Sequence, residues 1–135
     1  MGRGVIVLDS SALVAAFFGE PGAERVIPLL QRAAIGTANL AEVLERLHRS
    51  GADPETSYLD VIDAGIEIVE VSHEHAIVAA QLRPPTKSLG LSLGDRLCLA
   101  LALERTATVL TAEQIWSRVD IGLKIDVIRQ HTKKH

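Results

Sequence analysis

The sequence predicts an α/β fold built on a mainly parallel sheet, and three observations carry that prediction. Short runs at residues 5–8 (Val-Ile-Val-Leu) and 108–110 (Thr-Val-Leu) suit strands covered on both faces, as parallel strands are. Helical patterns with recognisable start signals separate the strand-like runs, so the two element types alternate along the chain. Residues 97–103 are apolar nearly all round, which marks a central, buried helix.

Taken in order, residues 5–8 form the first strand and end at Asp9. Ser10 and Ser11 open a helix through Phe18, closed by Gly19-Glu20-Pro21-Gly22. A second helix is expected to carry Val26, Ile27, Leu29, Leu30 and Ala33, followed by a short strand over residues 35–38. Asn39 and Glu42 stand at capping-box spacing, which predicts a helix opened by Asn39 and carrying Val43, Leu44 and Leu47. Asp53 and Pro54 start the next helix after a Gly51-Ala52 turn. Residues 66–71 alternate apolar and acidic, as in a strand exposed on one side, and Ser72 caps a helix running to Leu82. Residues 83–90 read as an irregular loop. Ser92 and Asp95 form a second capping box and open the central helix. A buried strand over residues 108–110, a short helical piece holding Trp116 and a last strand over residues 124–128 complete the pattern. Residues 1–130 are expected to form one domain, with 131–135 as a polar tail.

Composition narrows the function. With 47% hydrophobic and 23% charged residues the chain belongs with ordinary globular proteins and not with disordered ones. A net charge of −3 gives no global attraction to nucleic acid, so any polyanion must be held locally. The single cysteine, Cys98, excludes an intrachain disulfide and reads as a buried, inert thiol in the central helix. No apolar run reaches the ~18 residues of a membrane span, and the N-terminal run is too short for a signal peptide. A soluble, cytoplasmic protein is the expectation.

The chemistry lies in four acids. Asp9 follows a buried strand and precedes a helix. Glu42 and Asp95 stand at the third position of the helices that Asn39 and Ser92 are expected to open, and Glu113 follows the strand over residues 108–110. In a parallel sheet these junctions lie along one edge, so the four carboxylates are expected to converge on one cleft. A helix-start acid gains only about 0.3–1 kcal/mol from the dipole. Two carboxylates ~4 Å apart repel by about 4 kcal/mol at an effective dielectric near 20. Divalent cations between them would offset that repulsion, and all-oxygen sites suit Mg²⁺ or Mn²⁺. Histidine makes a poor alternative, because His73 and His75, two apart on a helix, point to different sides.

Four segments resemble the blocks of the PIN-domain family, and its VapC-type toxins most of all. They are Val-Ile-Val-Leu-Asp9-Ser-Ser, Asn39-Leu-Ala-Glu42, Leu93-Gly-Asp95-Arg-Leu-Cys and Leu110-Thr111-Ala-Glu113-Gln-Ile-Trp116, in the family's order. The resemblance implies a three-layer α/β/α sandwich with four to five strands. It also implies a Mg²⁺- or Mn²⁺-dependent endoribonuclease, the toxin of a type II toxin–antitoxin pair. Such an enzyme hydrolyses RNA with a metal-activated water and leaves a 5′-phosphate and a 3′-hydroxyl. Asp9, Glu42 and Asp95 match the family's core acids. Glu113 stands where the family usually has Asp and adds a methylene. Ser10 and Thr111 match polar neighbours that orient the acids or a water. A VapB-like antitoxin crossing the first helices and a homodimer are the implied partners.

Aromatic content of 3% disfavours a base-stacking platform, so RNA contact is expected at phosphates. Arg96, adjacent to Asp95, is the candidate substrate-binding side chain; Arg83 and Lys87 also flank Asp95 in sequence, and Arg46 and Arg49 follow Glu42. Leu13, Phe17, Phe18, Ile27, Leu30 and Leu40 offer more apolar surface than a small core needs. A haloacid dehalogenase-type phosphatase would want a second Asp at position 11, which is Ser11. The remaining alternative is a catalytically impaired PIN-like module that binds RNA or protein.

Overall fold

The computed structural model describes residues 5–129; the expected polar tail lies outside them. Among the described residues, five strands form one sheet in the order β3-β2-β1-β4-β5, and every neighbouring pair is parallel. They are β1 (Ile6–Leu8), β2 (Ala33–Gly36), β3 (Glu67–Val69), β4 (Thr108–Thr111) and β5 (Ile125–Val127). Helices cover both faces, as the sequence predicts.

Alternation along the central strands sorts the core into two layers. Ile6, Leu8 and Leu110 face one side, where they pack with Leu13, Val26, Val43 and Val61. Val7 and Val109 face the other and meet Cys98, Leu99, Leu101 and Trp116. The first layer belongs to α1 (Ser10–Phe18), α2 (Ala23–Val26), α3 (Thr37–Arg49) and α4 (Pro54–Asp63). The second is roofed by α5 (His73–Gln81) and α7 (Leu93–Arg105), with the short α6 (Arg83–Thr86) between them in the chain. Because α7 packs against both the sheet and α5, its middle residues Cys98–Ala102 are all buried, which explains its lack of a polar face.

Three elements differ from expectation. The second helix stops at Val26 and tightens into a 3-10 turn over Ile27–Arg32, where Pro28 removes a backbone donor; Ala33 begins β2 instead of ending a helix. The loop over residues 83–90 winds into α6 and a 3-10 turn. With Asn39 as the expected cap, the third helix begins three residues early, at Thr37, directly after the extended Gly36. Asn39 is therefore not a cap but a buried residue of the first turn, and Glu42 is the sixth residue of α3.

The chain builds β1, β2 and β3 outward on one side, then crosses to lay β4 and β5 on the other. The order reverses between β1 and β4, and in such sheets the crevice at the carboxyl ends of those strands is where ligands bind. Asp9 follows β1 and Glu113 follows β4 at that place.

Candidate active site

Asp9 sits at the residue before α1 with extended backbone angles, yet its side chain makes no capping bond. It is 2% exposed. Its Oδ2 accepts hydrogen bonds from the Ser11 hydroxyl (2.6 Å) and the Thr111 hydroxyl (2.8 Å). Its Oδ1 is buried and has no hydrogen-bond partner among the described residues. Burial pushes the Asp9 carboxyl up to about 6; the two hydroxyls oppose that shift, and the charges of Asp95 and Glu42 add to it.

Both hydroxyls are themselves held. The Ala112 N–H donates to Ser11 Oγ (2.9 Å) and the Glu113 N–H to Thr111 Oγ1 (3.0 Å). The turn after β4 thus points two backbone donors at the hydroxyls that grip Asp9. It also sets Glu113, exposed, at the start of a 3-10 turn (Gln114–Arg118) anchored by the buried Trp116.

Asp95 lies in the first turn of α7. Its Oδ2 accepts from the Ser92 N–H (2.8 Å), while its own N–H donates to Ser92 Oγ (3.1 Å). The predicted capping box is present, and it engages one of the two carboxylate oxygens.

Glu42 reaches the site from α3. Its Oε1 accepts from Asn39 Nδ2 (3.0 Å), and the same nitrogen donates to the carbonyl of Gly94 (3.0 Å). The Glu42 carboxyl lies over Gly94, at the first turn of α7. A Cβ built on Gly94 would collide with the Glu42 carboxyl oxygens, with Cδ 3.0 Å away.

Two adjoining clefts collect these groups. One, of about 300 Å³, is lined by Asp9, Asp95 and Glu113; the other, of about 500 Å³, by Glu42, Glu113 and the arginines Arg46, Arg49 and Arg129. Ser10, Ser11 and Glu113 line both.

A family model of the PIN domain matches residues 6–122. The chain belongs to the PIN-domain family. No curated protein matches its sequence. Among solved structures, the PIN domain resembles VapBC2 from Rickettsia felis bound to a promoter DNA fragment, with a TM-score of 0.69 at 22% identity. That match covers 90% of this chain and 96% of the other. It also resembles DNA-bound VapBC from Salmonella typhimurium, with a TM-score of 0.65 at 19% identity, covering 93% and 98%. VapBC-5 from Mycobacterium tuberculosis gives 0.59 at 24%, covering 96% and 100%. At these identities the likeness is one of fold.

Measured against the sequence reading, the structure of this PIN domain gathers all four acids around the adjoining clefts. It differs on three points. The hydroxyl that grips Asp9 is that of Ser11; Ser10 lines the clefts but makes no side-chain hydrogen bond among the described residues. Arg96 is not at the acids: one residue further round α7 than Asp95, its Nη1 donates to the Ala79 carbonyl (2.9 Å) and ties α7 to α5. The basic side chains at the cleft are Arg46, Arg49 and Arg129. Lastly, among the described residues no three acid, histidine or cysteine side chains stand as a ready-made chelate. Each of three carboxylates has its own local donors: Asp9 accepts from two hydroxyls, Asp95 from the Ser92 N–H and Glu42 from the Asn39 amide. A forced crowding of charge therefore does not by itself require cations.

Proposed function

We propose that this PIN domain is a divalent-cation-dependent endoribonuclease, the toxin of a toxin–antitoxin pair. The observation that carries the reading is the orphaned Oδ1 of Asp9. It is buried with no hydrogen-bond partner among the described residues, in a cleft shared with Asp95 and Glu113. A buried carboxylate oxygen without a donor is costly, and a cation is the partner that removes the cost. The donor set is all oxygen, which fits Mg²⁺ or Mn²⁺. Asp9, Asp95, Glu113 and Glu42 would hold the cation, the first two through the oxygens their local partners leave free. When bound, it supplies a water that is nucleophilic at neutral pH and neutralises charge on the phosphate oxygens.

The protein's own groups do the rest. Ser11 and Thr111 fix the direction of the Asp9 carboxylate. Glu113 precedes the 3-10 turn without making a side-chain capping bond there, and it lines both clefts. Arg46 and Arg49 follow Glu42 by one and two turns of α3, so they continue the same face and offer phosphate contacts along a strand of RNA.

The toxin–antitoxin assignment draws on a second surface. Leu13, Phe17, Ile27, Leu30 and Val61 line an apolar groove of about 150 Å³, and Phe17 and Ile27 are exposed there. Leu40, by contrast, is core, as is Leu13 at the floor of the groove. A VapB-like antitoxin segment is the proposed occupant, and a homodimer the proposed assembly.

One observation favours a second reading, a PIN module that binds RNA or protein without cutting it: the acids do not form a chelate as they stand. Cleavage of total RNA by freshly purified, antitoxin-free protein separates the two. Mn²⁺-dependent cutting, abolished by EDTA and reduced at least about 100-fold by Asp95→Asn, is expected of the nuclease. Absence of metal-dependent cutting by the wild type supports the binding module, and undiminished cutting by Asp95→Asn removes Asp95 from the site.

A further inference from the structure

We propose that Asn39 is a positioning residue. With the side-chain-free Cα of Gly94, it tethers the Glu42 carboxylate of α3 to the first turn of α7. The proposal rests on the nuclease reading above for its functional meaning, and on geometry for its substance.

Asn39 is 1% exposed, an unusual burial for an amide. It spends one nitrogen on two acceptors of different kinds, the Glu42 carboxylate and a backbone carbonyl 55 residues away on another helix. The Gly94 carbonyl is the alignment mark. Whatever fixes Asn39 to it also fixes Glu42 relative to Asp95, the next residue of α7. Gly94 completes the device from the other side. Its missing Cβ is the space that the Glu42 carboxyl group fills, and the three nearest atoms that an added Cβ would meet all belong to that carboxyl group. A glycine in the first turn of a helix that is otherwise leucine- and alanine-rich costs helix stability relative to alanine, so its presence has a steric reason. Two of the acids are thereby held in register across a helix–helix contact, although they come from separate parts of the chain. Outer groups that orient ligands in this way commonly change metal affinity 10–100-fold when removed.

The test is a double-mutant cycle on the full chain, read by Mn²⁺ calorimetry, RNA cleavage and metal-free thermal melts. Asn39→Ala is expected to weaken Mn²⁺ binding about 10-fold in the wild type and to cause no further loss in a Glu42→Ala background. Equal losses in both backgrounds, or none in either, overturn the tether. Gly94→Ala guards against a folding failure of Asn39→Ala. It favours the helix, displaces only a flexible carboxyl group, and is expected to weaken Mn²⁺ binding by a similar factor. A Gly94→Ala protein that binds like the wild type also overturns the proposal. If the wild type neither binds Mn²⁺ nor cuts RNA, it is the nuclease reading that fails. The tether is then judged by the melts, where Asn39→Ala must lower Tm more in the wild type than in the Glu42→Ala protein.

Discussion

Two aspartates occupy the same local position and have opposite fates. Asp9 precedes α1 and Asp53 precedes α4, each with extended backbone angles. Asp53 caps its helix: its Oδ2 accepts from the Thr56 N–H (3.0 Å) and the Thr56 hydroxyl (3.1 Å), and those bonds hold its carboxyl below the usual range. Asp9 leaves its helix uncapped and turns into the sheet edge, where burial raises its carboxyl to about 6. One carboxylate serves the helix beside it; the other is held at a cost to the fold, by hydroxyls from α1 and β4. That contrast separates a structural acid from a candidate ligand more sharply than either residue's sequence context does.

Four experiments would break or sharpen the contrast. The largest effect belongs to Asp9→Asn in the cleavage assay, where rates are expected to fall at least about 10³-fold, matching several kcal/mol of lost charge stabilisation. Full activity would return Asp9 to the rank of Asp53. Next come Ser11→Ala and Thr111→Val, each expected to slow cleavage about 10–100-fold. Both hydroxyls lower the Asp9 carboxyl, so their removal should also move the acid limb of the pH–rate profile upward; an unmoved limb would separate them from Asp9. The third is a stability measurement in EDTA. A carboxyl raised from 3.8 to about 6 keeps its proton in the native state after the unfolded chain has lost it, so wild-type stability falls as pH rises across that window. Asp9→Asn is therefore expected to gain up to about 3 kcal/mol relative to wild type between pH 4 and pH 7, by urea unfolding. A gain that does not depend on pH would count against a buried, protonated Asp9. The smallest effect is that of Asp53→Ala, with a Tm loss of about 3–5 °C and unchanged cleavage.

What could be read from the residues follows the range of the interaction involved. The capping box at Ser92 and Asp95 is local and was legible, as were the two-sided burial of β1 and the apolar girth of α7. Asn39 and Glu42 carry the same spacing but are not a cap. The extended Gly36 starts α3 earlier, and the Asn39 amide goes to Gly94, a partner that no local pattern names. Ser10 and Ser11 are neighbours in the chain, and only the direction of the first turn of α1 decides that Ser11 reaches Asp9. Arg96 shows the same limit: adjacency to Asp95 in the chain is about a 100° rotation on the helix, which sends it to α5. The orphaned Oδ1 of Asp9 needs the whole sheet edge to be seen.

The chain's lone thiol sits beneath this machinery. Cys98 is fully enclosed and faces the Leu8 carbonyl at 3.7 Å, and burial pushes its ionisation well above the ordinary range. An aqueous disulfide reagent can reach it only after α7 lifts away from the sheet. The molecule therefore carries a built-in clock for the opening of its own interior: labelling kinetics of the unmodified protein would time that event without any engineered probe, and an inhibitor or ion that clamps the two helices would slow the clock.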